Sequence, residues 1–194
     1  MPQIVIGLVG KIASGKDSVK KHLEENYPAE SYRFSSILRE VLATLHLEAN
    51  RGNIQKLSSG LRQVFGEDLL AKTMAEKIKK AGENKNLKII ILDGIRRPAD
   101  IIFIRNQKNF FLIGIEASPE IRYQRVVSRN ENAGDQEKTY EEFLQEDNNE
   151  SEKNIQEMIN QADFLLDNNS DFDSLFKQLD KIIGTIKEKD DIWK

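Results

Sequence analysis

The chain has 194 residues, 39% hydrophobic and 31% charged, with a formal net charge of −3. That length supports one domain with a full core, while the charge excludes a strongly basic nucleic-acid or anionic-membrane binder, and no run approaches a membrane span. Cysteine is absent, which excludes disulfides, thiolate metal sites and cysteine nucleophiles and fits a reducing cytoplasm.

In chain order, "QIVIGLVG" (3–10) is a β-branched run ending in glycine, the pattern of a fully buried parallel strand. Its start lacks the basic region of a signal peptide. Val19 and Leu23, four apart among charges, predict an amphipathic helix over 16–26. "SYRF" predicts a short strand, and a helix follows through Ile37, Leu38, Val41, Leu42 and Leu45. Residues 53–82 read as helical with a break near Gly66; Glu67 and Asp68 suit the start of the second helix and Gly82 its end. "LKIIILDG" (87–94) is a second buried strand. "RRPADIIFIRNQ" (96–107) predicts a helix with Pro98 in its first turn. "FFLIGIEA" (110–117) is a third strand, followed by a helix with Ser118 as cap and Pro119 at its first position. "ENAGDQEK" (131–138) is a polar loop, "TYEEFLQEDNNES" (139–151) resumes a helix, "ADFLLDN" (162–168) is a last strand, and 171–187 a last helix before a frayed tail. Strands alternating with helices imply a parallel sheet covered on both faces.

Gly10, Gly15 and Lys16 in "GLVGKIASGKDS" (7–18) carry the Gly-x-x-x-x-Gly-Lys pattern. Three fixed residues are weak alone, and a glycine-rich strand–helix turn is the bland reading. The position between a buried strand and a helix makes the match specific. Glycines let backbone N–H groups converge on phosphate oxygens, and the helix start adds partial positive charge. Lys16 supplies a formal charge to β- and γ-phosphates. Asp17 stands where the pattern asks for Ser or Thr. A carboxylate there serves magnesium directly or through water, or else turns away and favours the helix start.

Asp93 closes a buried strand at its carboxyl end, the edge where open α/β sheets bind ligands. Gly94, not glutamate, follows it, and no Asn-Lys-x-Asp occurs. Both facts point away from ATP hydrolysis and GTP switching and toward transfer to a bound acceptor. None of the ten arginines lies beyond Arg129. Arg122, Arg125 and Arg129 share a helix face leading into the polar loop, as a closing lid requires; a solvated basic face is the alternative. Arg39, after "FSSIL", is placed to fork onto an acceptor phosphate, with surface pairing as the alternative for Arg39, Arg51 and Arg62. His22, His46 and Trp193 carry no assigned role.

With these motifs the chain resembles the P-loop nucleoside monophosphate kinases, in the branch near phage-type deoxynucleoside monophosphate kinases and dephospho-CoA kinases, over nearly its whole length. "GKIASGKDS" is similar to a Gly-Lys-Asp phosphate loop, which implies ATP contacts from Gly10, Lys11, Ala13, Ser14, Gly15, Lys16, Asp17 and Ser18. "RFSSILREVL" and "LRQVFGEDLLA" are similar to acceptor segments, implying Ser35, Arg39 and Arg62. "LDGIRRP" is similar to a strand end that uses Asp93 with Arg96 or Arg97. "RYQRVVSRN" is similar to a lid helix, and "ADFLLDNNSDFDSL" to the strand and turn that cradle adenine, implying Asn168 and Ser170. The acidic "ENAGDQEKTYEEF" departs from the family in offering no further arginine.

The expectation is therefore a three-layer α/β P-loop kinase fold with a parallel five-stranded sheet, an acceptor-binding helical insertion near 35–82 and a lid near 122–150. The expected activity is transfer of the ATP γ-phosphoryl group to a small phosphorylated acceptor, a (deoxy)nucleoside monophosphate. Lys16, Asp93, Arg122, Arg125 and Arg129 would act in catalysis, with Mg2+ held by Asp17 and Asp93. Dephospho-CoA kinase, with Asp93 as base, is the rival within the class; a nucleotide-binding regulatory or assembly factor is the rival outside it. ATP and the acceptor are the expected partners, with no nucleic acid and no membrane; monomer and homodimer stay open.

Overall fold

The computed structural model describes residues 4–129, 135–148 and 150–189. Its elements are β1 (Ile4–Val9), α1 (Lys16–Asn26), β2 (Ala29–Arg33), α2 (Phe34–Thr44), α3 (Arg51–Phe65), α4 (Leu69–Ala81), β3 (Ile89–Asp93), a 3-10 turn (Pro98–Ile101), β4 (Phe110–Glu116), α5 (Pro119–Arg129), α6 (Tyr140–Asp147), α7 (Glu150–Asn160), β5 (Phe164–Asp167) and α8 (Phe172–Lys189). The strands form one sheet in the order β2-β3-β1-β4-β5, every pairing parallel.

Period-two alternation divides the core. Val5 and Val9 of β1 face one apolar cluster with residues of α2, α4 and α7, whereas Ile4, Ile6 and Leu8 face a second with residues of α1 and α8. Both faces of the sheet are thus dry, which is why β1 and β3 read as continuous apolar runs. Each fully buried Ile or Leu contributes about 1.5–3 kcal/mol, so the middle of the sheet is a firm platform for whatever stands at its edge.

Helices cover both faces and parallel strands alternate with them, as the sequence predicts. Two stretches differ. The helix expected over 96–107 is a single 3-10 turn followed by irregular turns. Asp100 Oδ2 accepts from the backbone N–H groups of both Arg96 and Arg97 at 3.0 Å. That capping tightens the chain around Pro98, and buried Ile101 and Ile104 then anchor it at a three-residue spacing. The single helix expected over 139–151 ends at Asp147, and α7, unforeseen, follows it. Ile155, Met158 and Ile159 of α7 are buried against the sheet; their spacing of three and four was a legible helix signal. Within the predicted loop 131–138, residues 131–134 lie outside the described residues, as do Asn149 and the tail 190–194.

Candidate functional site

β1 runs between β3 and β4, and the turn after its carboxyl end is the phosphate loop. Ala13 (φ 57°) and Gly15 (φ 108°) both adopt left-handed backbone. Alternating hand turns successive N–H groups toward one point and makes an anion nest. Ala13 carries strain of about 1–2 kcal/mol for this, a cost that accumulates at functional turns. A Cβ on Gly10 would collide with Ser14 Oγ and come within 2.7 Å of the Ile115 carbonyl oxygen, and one on Gly15 would collide with Asn168 Nδ2. Lys16 curls over the loop, its ammonium donating to the carbonyls of Gly10 at 2.7 Å and Lys11 at 2.9 Å.

The loop opens on a cleft of about 1900 Å³. Its lining brings together the loop, Arg125, Ser128 and Arg129 of α5, Phe172 of α8, residues of α2 and α3, the 94–97 segment, and Asp135, Glu142, Glu146 and Asp147. Ser35, Arg39, Arg62, Arg96 and Arg97 all line it, as does Arg51, so the expected acceptor residues share one cleft with the loop. Arg39 donates to the Ala49 carbonyl at 3.1 Å. Arg97 pairs with Glu67 at 2.8 Å and Asp100 at 3.3 Å. Arg96 is exposed and makes no side-chain ion pair among the described residues. Burial, then the like charge of Arg97, draw the Arg62 guanidinium below the ordinary arginine value, and its Nε is buried without a hydrogen-bond partner. Against five arginines, α2, α3 and the 94–100 segment contribute one acid to the lining, Asp100, a positive balance that favours a phosphate.

At the sheet edge Asp93 is buried, and Arg33 stands opposite it in the β2–β3 register. Arg33 Nε donates to Asp93 Oδ2 at 2.7 Å, Nη2 donates to the same oxygen, and Nη2 lies 3.3 Å from Asp17 Oδ1. Lys20 Nζ also spans the acids, 2.9 Å from Asp17 and 3.6 Å from Asp93. Burial works to raise the Asp17 carboxyl, but the hydrogen bond and charge of Lys20, with Arg33 and Lys16 behind it, hold it below its ordinary value. Among the described residues no group of three or more His, Asp or Glu side chains is placed to hold a metal. The pair Asp17 and Asp93 nonetheless flanks a point where cationic nitrogens already sit, and oxygen donors around such a point suit Mg2+ with water and phosphate completing its shell.

The three arginines of α5 divide along the helix axis. Arg125 and Arg129 line the cleft. Arg122, in the first turn, is 3% exposed and forks onto Asp147, donating at 2.6 and 2.8 Å. Lys11 donates to Asp147 Oδ2 at 2.9 Å, so its ammonium faces the base of α6 and not the cleft. Asn168 is 1% exposed and its Nδ2 donates to the Ser14 carbonyl at 2.7 Å; Arg125 donates to the Asn168 carbonyl at 3.0 Å. Asn168 thus braces the phosphate loop from beneath. Ser170 is exposed and outside the cleft lining, where exposed Phe172 stands instead. Sequence reasoning missed Arg33, Asp147 and Phe172. Lys20, one helical turn from Asp17, was visible by spacing.

The chain matches no family profile. It is 26% identical over 190 residues to UPF0200 protein TK1334 of Thermococcus kodakarensis, covering 96% of this chain and all of the relative, and 27% identical over 183 residues to UPF0200 protein MJ1399 of Methanocaldococcus jannaschii, covering 94% and 90%. Among solved structures it is similar to shikimate kinase from Bacteroides thetaiotaomicron (TM-score 0.58, 12% identity, 95% and 98% coverage) and to dephospho-CoA kinase from Campylobacter jejuni (0.53, 14%, 95% and 97%). At these identities the likeness establishes the fold, that of P-loop kinases.

Proposed function

We propose that this protein is an ATP-dependent phosphotransferase whose acceptor is a small phosphorylated molecule, a (deoxy)nucleoside monophosphate. The observation that carries the reading is the cleft, in which an anion nest with Lys16 is joined by Arg39, Arg51, Arg62, Arg96 and Arg97. Two anionic groups brought head to head need such a surplus of fixed cations between them. Lys16 would leave the Gly10 and Lys11 carbonyls for the β- and γ-phosphates. Phe172 and Arg125 offer flat faces beside the loop for the donor base. Arg39, Arg62, Arg96 and Arg97 would hold the acceptor phosphate, Arg96 with the fewest existing ties. Arg129 would reach the charge spread during transfer, while Arg122 positions α5 without touching substrate. Asp17 and Asp93 would hold Mg2+, which neutralises charge between the phosphates when bound.

The arginine-rich lining favours a phosphate acceptor over a hydroxyl. A hydroxyl also needs a free base, and in this reading Asp93 is committed to Mg2+. An acceptor panel of nucleoside monophosphates with dephospho-CoA, read as ADP formed from ATP, tests the reading. One monophosphate is expected to stimulate turnover, and Lys16→Ala to cut it by about two to four orders of magnitude with the fold intact. Stimulation by dephospho-CoA alone moves the acceptor class. ATP binding without any acceptor-dependent turnover points to the regulatory or assembly factor.

A further inference from the structure

Three cations crowd the two acids at the sheet edge. Lys16 and Lys20 belong to α1, whose start makes the phosphate loop. Arg33 comes from another strand, and nothing in the phosphate-loop pattern asks for it. Its position is set by pairing: parallel β2 and β3 place Arg33 level with Asp93. Its head group is bound twice to Asp93 and reaches Asp17 at 3.3 Å. One guanidinium thus spans the two carboxylates that would serve a divalent ion.

The surroundings of Arg33 suit exchange. Asp93 is 5% exposed but Arg33 is 49% exposed, so water can solvate the head group when it leaves, and little is lost. Gly94 follows Asp93 in the chain. It is left-handed (φ 79°), a conformation that excludes most side chains, and a Cβ there would come within 3.4 Å of Arg33 Cγ. Gly94 itself lines the cleft, so no side chain at this position crowds the Arg33 stem there.

We infer that Arg33 is an internal counter-ion that stands in for the metal between Asp17 and Asp93, and that binding of the metal–nucleotide complex displaces it. It is a specificity residue for the metal-charged nucleotide. A metal-free nucleotide leaves the Arg33–Asp93 pair closed, whereas a divalent ion competes for the same carboxylate oxygen. This rests on the kinase reading for the role of the acids, but its test does not need turnover.

The experiment is calorimetric titration of Mn2+ onto the nucleotide-free protein, wild type against Arg33→Ala, with thermal melts to verify folding. Removing Arg33 should tighten Mn2+ binding about tenfold, the worth of one charge-assisted hydrogen bond. Arg33→Lys, which keeps the charge without the fork, should fall between. The gain should vanish in Arg33→Ala/Asp93→Asn. Equal Mn2+ affinity in wild type and Arg33→Ala, or a gain that survives loss of Asp93, overturns the inference. Either result leaves the kinase reading standing if the acceptor panel still shows turnover. A tenfold gain together with an inactive panel would keep the counter-ion and reject the kinase.

Discussion

Two acids, each shared by two cations, flank the phosphate loop, and they differ in what surrounds them. Asp93 takes Arg33 and Lys20 at the sheet edge; Asp147 takes Arg122 and Lys11 at the base of α6. The acids are almost equally buried, at 5% and 6% exposure, but Arg33 is 49% exposed and Arg122 only 3%. Arg122 also lies over the ring of buried Phe143 at 5.3 Å. Water can take back an exposed guanidinium, so its ion pair exchanges readily. A buried one has no such refuge, and breaking its pair strands a charge. The same motif is therefore an exchangeable contact on one side of the loop and a staple between loop and α6 on the other.

The hardest test of that contrast is Asp147→Ala. It should destabilise the protein by about 3–5 kcal/mol, a fall in melting temperature on the order of 10 °C. A loss under about 1 kcal/mol would make the two clusters equivalent. Asp93→Asn should do the opposite: turnover lower by about two to three orders of magnitude, with the melting temperature within a few degrees of wild type. A large stability loss there, with turnover retained, would exchange the two roles.

Acid titration sharpens the comparison. Burial pushes the Asp147 carboxyl up, but the hydrogen bonds and charges of Arg122 and Lys11 outweigh it and hold the group below its ordinary value of 3.8. A depressed folded value contributes stability that is complete above that ordinary value and is lost as pH falls through the folded one. The stability gap between wild type and Asp147→Asn should stay level down to about pH 5 and close below about pH 4; a gap that closes nearer neutrality would assign the effect to another group. The smallest effect belongs to Asp17→Asn. Asp17 is 68% exposed, so stability should change by less than about 0.5 kcal/mol, while the Mg2+ concentration for half-maximal turnover should rise severalfold. An unchanged magnesium curve would leave Asp17 as a helix-start residue.

The phosphate loop was legible because its chemistry is local: within seven residues, from Gly10 to Lys16, the chain supplies nest, glycines and lysine. Arg39 and Arg62, proposed for the acceptor, were legible only as residue types in helical stretches, Arg39 midway along α2 and Arg62 in the last turn of α3. Arg33 was not, because its meaning comes from strand register; a one-residue slip in β2 would turn it away from Asp93. Asp147 was not, because it meets Arg122 and Lys11 only when α5, α6 and the loop converge. Asn168 was named only through the resemblance, as a residue of an adenine cradle; its burial under Ser14 follows from where β5 ends beside β4.

By itself the sequence determined the elements with strong periodicity, the parallel sheet they imply and the glycine-rich loop with its lysine between a strand and a helix. These depend on contacts a few residues long, between a strand and its own turn or along one helix face. Tertiary structure alone decided which cation meets which acid. A surplus of lysines and arginines near a few carboxylates has many possible pairings of similar energy in an extended chain. Only the stacking of β2 on β3 put Arg33 between Asp93 and Asp17, and only the packing of α6 under α5 sealed Arg122 onto Asp147, where exclusion of water made that choice permanent.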